Sequence, residues 1–336
     1  MKVDQGQEGR QCMHRIMKTL LHGLLCLALV LSCGCSGTSR TIAYTVYPIG
    51  YLLNRIAGST IHAVSVQSDT MVQNAQAVDD FKTVLSGSAV FIHMGDLEPF
   101  LSVHEEDVQK YAKEELDLSG ETAIYDFARY YADGSERPYY EDECFENVDV
   151  CEKEQSVWLD PISMLSMGRS ICAWLKEKYP EDADYYQSNM DTLANELIEL
   201  DGQYQTMASD LKKEGKTLKF AMMSSGFGIW QNAYGFEVYP VVLSRYGVLP
   251  DAAQLAAVKE HLAEDGVKYI VYEPNMSDAM KAVFSTLEEQ MGLTRIELSN
   301  LSSLSTTQMQ DGKDYLSVMK ENLLVLETVE PDDIEE

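Results

Sequence analysis

Short apolar runs alternate with segments whose apolar residues recur every three or four positions along most of this chain. Residues 41–47, 61–67 and 88–94 are rich in β-branched and aromatic residues and predict strands. Residues 49–56 and 80–85 carry the helical period between them. The alternation returns in the second half. Residues 218–223, 236–243, 267–272 and 294–298 predict strands, and 227–233, 253–264, 277–291 and 314–326 predict helices. Alternation of this kind predicts an α/β fold: two similar lobes with mainly parallel sheets.

Between the two halves, Asp160 and Pro161 form an N-cap and first-turn signal for a helix to about residue 179. Pro180 opens a second helix that runs to Lys213. At 1.5 Å per residue it is ~50 Å long, enough to join both lobes. Residues 133–155 are acidic and without helical period, and read as a solvated surface loop. The expected organisation is a leader at 1–35, a tether at 36–40, an N-terminal lobe at 41–179 and a connecting helix at 180–213. A C-terminal lobe at 214–328 and an acidic tail at 329–336, disordered from Glu330, complete it.

The leader changes the picture. Lys2, Arg10, Arg15 and Lys18 precede a 14-residue apolar run at 19–32. That run spans ~21 Å as a helix, short of the ~30 Å hydrocarbon core, so it reads as an export signal and not as a membrane span. It ends in Leu31-Ser32-Cys33-Gly34-Cys35-Ser36-Gly37, which resembles a bacterial lipoprotein processing site with Cys35 or Cys33 as the acylated residue. The expected location is extracytoplasmic, lipid-anchored to the bacterial cell membrane. A formal charge of −28 on 336 residues repels nucleic acid and attracts cations. Cys144 and Cys151 share the acidic loop and form a candidate disulfide in an oxidising exterior; Cys172 falls at a core position. G-x-S-x-G, H-E-x-x-H and P-loop motifs are absent, and no enzyme activity is expected.

Several segments, in order, resemble one family: the zinc- and manganese-type solute-binding lipoproteins of ABC importers. Ser156-Val157-Trp158-Leu159-Asp160-Pro161 resembles its H-V-W-L-D-P segment. Tyr47-Pro48-Ile49-Gly50-Tyr51 resembles its opening strand–helix. Gly95-Asp96-Leu97-Glu98-Pro99 resembles its G-x-x-E-P turn, and Tyr272-Glu273-Pro274-Asn275 a later signature. The resemblance covers residues 41–326. It implies a cleft between two lobes, a divalent metal ion of the Mn or Zn class as transported solute, and delivery to a membrane permease by a monomer.

The resemblance also implies where ligands belong, and here the chain departs. The family's His positions correspond to the stretch Asp69–Asn74 around Gln73, to Ser156 and to Ser224. Glu273 is retained, and Asp278 lies near a further acidic position. His93 ends a strand and is a candidate replacement ligand. Serine hydroxyls are poor zinc ligands, so an oxygen-rich cleft of this kind favours harder ions such as Mn²⁺, Ca²⁺ or Mg²⁺. The alternative is a relative that binds a non-metal solute, or a surface interaction or sensory lipoprotein.

Overall fold

The computed structural model describes residues 40–68, 70–121, 128–130, 136–138, 142–150 and 153–334. The expected leader, its Cys33 and Cys35, Asp69 and Cys151 lie outside them. In the N-terminal lobe the elements run β1 (Thr41–Tyr44), α1 (Tyr47–Ala57), β2 (His62–Ser65), α2 (Phe81–Gly87), β3 (Val90–His93), α3 (Pro99–Tyr111) and β4 (Glu115–Asp117). The four strands form a parallel sheet in the order β2-β1-β3-β4. β3, Val-Phe-Ile-His, is buried on both faces, as a central parallel strand requires. A short antiparallel hairpin follows, β5 (Ala128–Tyr130) with β6 (Glu136–Pro138).

Two helices then lead out of this lobe. In α4 (Pro161–Lys178) Asp160 accepts hydrogen bonds from the amides of Ile162 and Ser163, the expected N-cap. α5 (Ala183–Lys213) is 31 residues long, or about 46 Å. It buries Tyr186, Met190, Leu193, Leu197, Leu200 and Tyr204, spaced alternately by four and three. Its first half packs on α1 and α4, and its second half on the other lobe.

The C-terminal lobe contains β7 (Lys216–Thr217), β8 (Lys219–Met222), α6 (Ile229–Tyr234), β9 (Glu237–Pro240), α7 (Ala252–Glu264) and β10 (Tyr269–Tyr272). α8 (Asp278–Met291), β11 (Thr294–Glu297), α9 (Thr306–Gln310), α10 (Tyr315–Leu326) and β12 (Asp332–Asp333) follow. Its parallel sheet has the order β9-β8-β10-β11. Counted within each lobe, both orders are second, first, third, fourth. The expected pair of similar lobes joined by one long helix is what the chain forms.

Two expectations are corrected. The tail is not disordered from Glu330 onward, for residues 330–334 are ordered. Val329 is buried, β12 pairs antiparallel with β7, and Asp332 meets Lys268 at 2.6 Å, because a lysine beside the sheet edge offsets the local acidity. The acidic segment is not wholly a solvated loop. Residues 142–150 lie against the C-terminal lobe with Phe145 buried, since its apolar residues drive docking that a count of its charges conceals.

The larger hydrophobic core runs from Ile42 to Val329 through both lobes, and a smaller one around Phe81, Phe91 and Phe100 lies in the first lobe. Trp158 sits where they meet. Its indole Nε1 donates to the Asn300 carbonyl at 2.8 Å, and its own carbonyl accepts from Tyr315 at 2.6 Å. Trp230 Nε1 donates to the Leu159 carbonyl at 3.0 Å. The segment after Ser156 is thereby fastened to the C-terminal lobe before α4 returns it to the first. Among the described residues no helix is long and apolar enough to cross a membrane.

Candidate functional site

In open parallel sheets the crevice forms where neighbouring connections leave in opposite directions, at the carboxyl ends of the strands. In these lobes that point lies between β1 and β3 and between β8 and β10. Each holds a buried carboxylate bonded to a hydroxyl. In the first lobe Thr45 Oγ1 donates to Glu98 Oε1 at 2.6 Å, and the Met94 amide donates to the same oxygen at 2.8 Å. In the second, Ser224 Oγ donates to Glu273 Oε2 at 2.8 Å and the Ser224 amide to Oε1 at 3.0 Å.

Glu273 is the centre of the larger network. Asn300 Nδ2 donates to its Oε2 at 2.6 Å and to Asn275 Oδ1 at 3.2 Å. Asn300 Oδ1 accepts from the Ser302 amide at 3.0 Å, Ser302 Oγ at 2.8 Å and Asn275 Nδ2 at 3.0 Å. Glu273 is completely buried. Burial raises its pKa, and the donors on Asn300 and Ser224 oppose that shift.

Ser156 and Ser224 converge on Gly226. A Cβ built there would lie 2.9 Å from Ser224 Oγ and 3.5 Å from Ser156 Oγ. Only a residue without a side chain lets these two hydroxyls approach. Gln73 reaches the same seam: its Nε2 donates to Gln155 Oε1 at 3.0 Å, an atom also 3.4 Å from Ser225 Oγ. The structure therefore gathers Gln73, Ser156, Ser224 and Glu273 where the lobes meet. Tyr47 N–H donates to the Ser302 carbonyl at 3.1 Å, and Ser302 Oγ donates to the Thr70 carbonyl at 3.3 Å.

Two more buried carboxyls stand near the seam. Glu154 accepts from the Ser156 amide at 2.9 Å, and burial pushes its pKa up to about 8. Glu98 is pushed up to about 7 by the same cause. The second oxygen of each has no hydrogen-bond partner among the described residues. A buried carboxyl with no cation beside it is held in its neutral form by desolvation.

Other candidates fall elsewhere. Asp278 is fully exposed at the start of α8, 3.5 Å from Lys281, so it is a first-turn acidic residue outside the crevice. The approach of its sequence position to Glu273 is undone because α8 turns the chain outward. His93 is buried, but its contacts stay inside the first lobe. Its Nδ1 accepts from the Gly95 amide at 3.0 Å, its Nε2 lies 3.4 Å from Glu115, and its ring packs on Phe91. Desolvation lowers its pKa. Cys144 carries a free thiol, and its expected partner Cys151 is outside the described residues. Cys172 is buried, as expected. No cluster of three or more His, Cys, Asp or Glu with metal-holding geometry occurs among the described residues.

Asn300, Asn275 and Gln155 are site residues that sequence reasoning missed. The one available signal was the polar stretch Ser299-Asn300-Leu301-Ser302-Ser303 directly after a predicted strand. There Leu301 takes a φ of 56°, the left-handed region that a branched residue rarely adopts.

Two lobes of like topology, joined by one spanning helix, meet in a polar seam at the carboxyl ends of both sheets, an architecture of the two-lobe α/β class. The chain belongs to the family described as the zinc-uptake complex component A, periplasmic, whose sequence profile matches residues 42–329. It is 32% identical over 174 residues to the zinc-binding protein AdcA of Streptococcus pyogenes serotype M3, covering 51% of this chain and 32% of that protein. It is 29% identical over 167 residues to the high-affinity zinc uptake system protein ZnuA of Bacillus subtilis, covering 50% of each. The chain thus spans a third to a half of the length of these relatives. The crystal structure of the Zn(II)-bound ZnuA-like domain of Streptococcus pneumoniae AdcA superposes with a TM-score of 0.62. It is 20% identical, with 88% of this chain and 99% of that one covered. That likeness concerns the fold.

Proposed function

We propose that this protein is the extracytoplasmic solute-binding lipoprotein of a metal-type ABC importer. It takes a divalent cation of the manganese or zinc class between its lobes and hands it to a membrane permease, with Cys35 or Cys33 carrying the acyl anchor. It works as a monomer and catalyses no reaction. The observation that carries this reading is the placement of Glu273, a fully buried carboxylate at the crevice end of β10, in a chain of the zinc-uptake family.

The donors around it are all oxygens: the Glu273 carboxylate, the Ser156 and Ser224 hydroxyls and the amide oxygens of Asn275 and Asn300. Such a set suits hard ions better than zinc, which takes imidazole or thiolate. Cation entry would displace the donors now held by Glu273 and restore the ionised carboxylate that burial disfavours. The test is thermal unfolding of the chelator-stripped chain from Thr38 onward against Mn²⁺, Zn²⁺, Ca²⁺ and Mg²⁺. A cation at 100 times its dissociation constant adds about 2.7 kcal/mol of stability. Glu273→Ala should abolish the shift and Asp278→Ala should leave it intact. No shift with any of the four ions would overturn the reading and favour a non-metal solute or a surface interaction role.

A further inference from the structure

The two oxygens of Glu273 are held differently. Oε1 accepts from the Ser224 amide at 3.0 Å, a backbone group fixed by the end of β8. Oε2 accepts from two side chains, Ser224 Oγ at 2.8 Å and Asn300 Nδ2 at 2.6 Å. Side chains can leave without the main chain moving, so Oε2 is the oxygen that Glu273 can yield to a solute. An amide NH2 group carries two donors and offers no lone pair. Asn300 therefore meets Glu273 with the end that no cation can bind.

The network fixes that orientation. The buried Ser302 amide can only donate, and it lies 3.0 Å from Asn300 Oδ1; Asn275 Nδ2 donates to the same oxygen at 3.0 Å. Turning the amide over would set NH2 against N–H and leave a buried donor unsatisfied. The backbone beneath is pinned as well. Asn322, buried in α10, accepts from the Ser299 amide and donates to the Ser299 carbonyl, both at 2.9 Å. The Asn300 carbonyl accepts from Trp158 Nε1 at 2.8 Å. Leu301 holds a φ of 56°, and its amide donates to Ser299 Oγ at 3.3 Å. A branched residue stays in that region only where its surroundings over-determine it. A solute that takes Oε2 must therefore push the Asn300 side chain aside, while the main chain stays in place and brings it back.

We propose, on the cation reading given above, that Asn300 is a built-in competitor for the solute: its NH2 group occupies the carboxylate oxygen that a cation needs, which lowers affinity and speeds release. In titration calorimetry of the chelator-stripped protein with Mn²⁺, Zn²⁺, Ca²⁺ and Mg²⁺, Asn300→Ala should bind its best ion roughly tenfold more tightly than the parent does, the worth of one hydrogen bond to a charged group. Equal affinity would overturn the inference alone. Weaker binding would overturn it too, and would make Asn300 a ligand through its oxygen. Absence of binding in both proteins would overturn the cation reading and the inference with it. A second measurement needs no variant. The Ser302 amide donates to Asn300 Oδ1, so displacement of that side chain frees it. Its hydrogen exchange in the parent should quicken roughly tenfold on saturation with the ion. Slower or unchanged exchange there, with binding seen by calorimetry, would overturn the inference.

Discussion

Asn300→Ala removes the amide that ties Glu273, Asn275 and Ser302 together, and its cost can be worked from the contacts. The backbone carbonyl that accepts from Trp158 survives, so the fastening of the lobes there is untouched. The Ser302 amide, bonded to Asn300 Oδ1 at 3.0 Å, loses its acceptor while buried. An unsatisfied buried amide costs about 1–3 kcal/mol. Glu273 Oε2 loses its 2.6 Å donor, a bond worth roughly 1.5–3 kcal/mol when the carboxylate is charged. Asn275 and Ser302 Oγ keep other partners. The sum is about 2.5–6 kcal/mol at a pH where Glu273 is ionised, or roughly 4–10 °C in Tm for a chain of this size.

Urea unfolding followed across pH separates this account from simple loss of packing. Removing the donor raises the Glu273 pKa further above its ordinary value, so the penalty must grow as pH rises and shrink as the carboxyl takes up its proton. Loss below about 1 kcal/mol, or a penalty that does not grow with pH, would refute the role assigned to Asn300.

Two further outcomes follow from the buried carboxyl Glu154 and from Gly226. Because burial pushes Glu154 up to about 8, its contribution to stability is complete below the ordinary value near 4.5. It is lost as pH rises through about 8. Glu154→Gln should flatten the fall of the urea midpoint between pH 5 and 8, and an unchanged slope would exclude Glu154 as its source. Gly226→Ala places a methyl 2.9 Å from Ser224 Oγ and 3.3 Å from Asn300 Cβ. It should cost about 1–3 kcal/mol by crowding, read as a lower urea midpoint; a neutral result would mean that the two serines do not converge there.

The fold was legible because its signals are local. Apolar period separated strand from helix, and Asp160-Pro161 marked the start of α4. The alternation predicted two parallel-sheet lobes and a long helix between them. The family resemblance had named Glu273, Ser156, Ser224 and Gln73, and the chain brings all four to the seam between the lobes. Asp278 shows where such reasoning stops. It stands only five positions from Glu273, yet the turn into α8 carries it into solvent. His93 shows the same limit, since a place at a strand end does not say which neighbours the ring meets.

What the sequence by itself determined is the secondary structure, the two-lobe class and the run of oxygen-bearing residues available to the crevice. These depend on period, capping and residue chemistry within a few positions. Only the tertiary structure decided that Asn300 holds Glu273 from 27 positions away and that an acidic segment of the first half is bound to the second lobe. Both rest on pairings between distant parts of the chain. Such pairings arise from the strand order of each sheet and the closeness of the two lobes, neither of which a local pattern encodes.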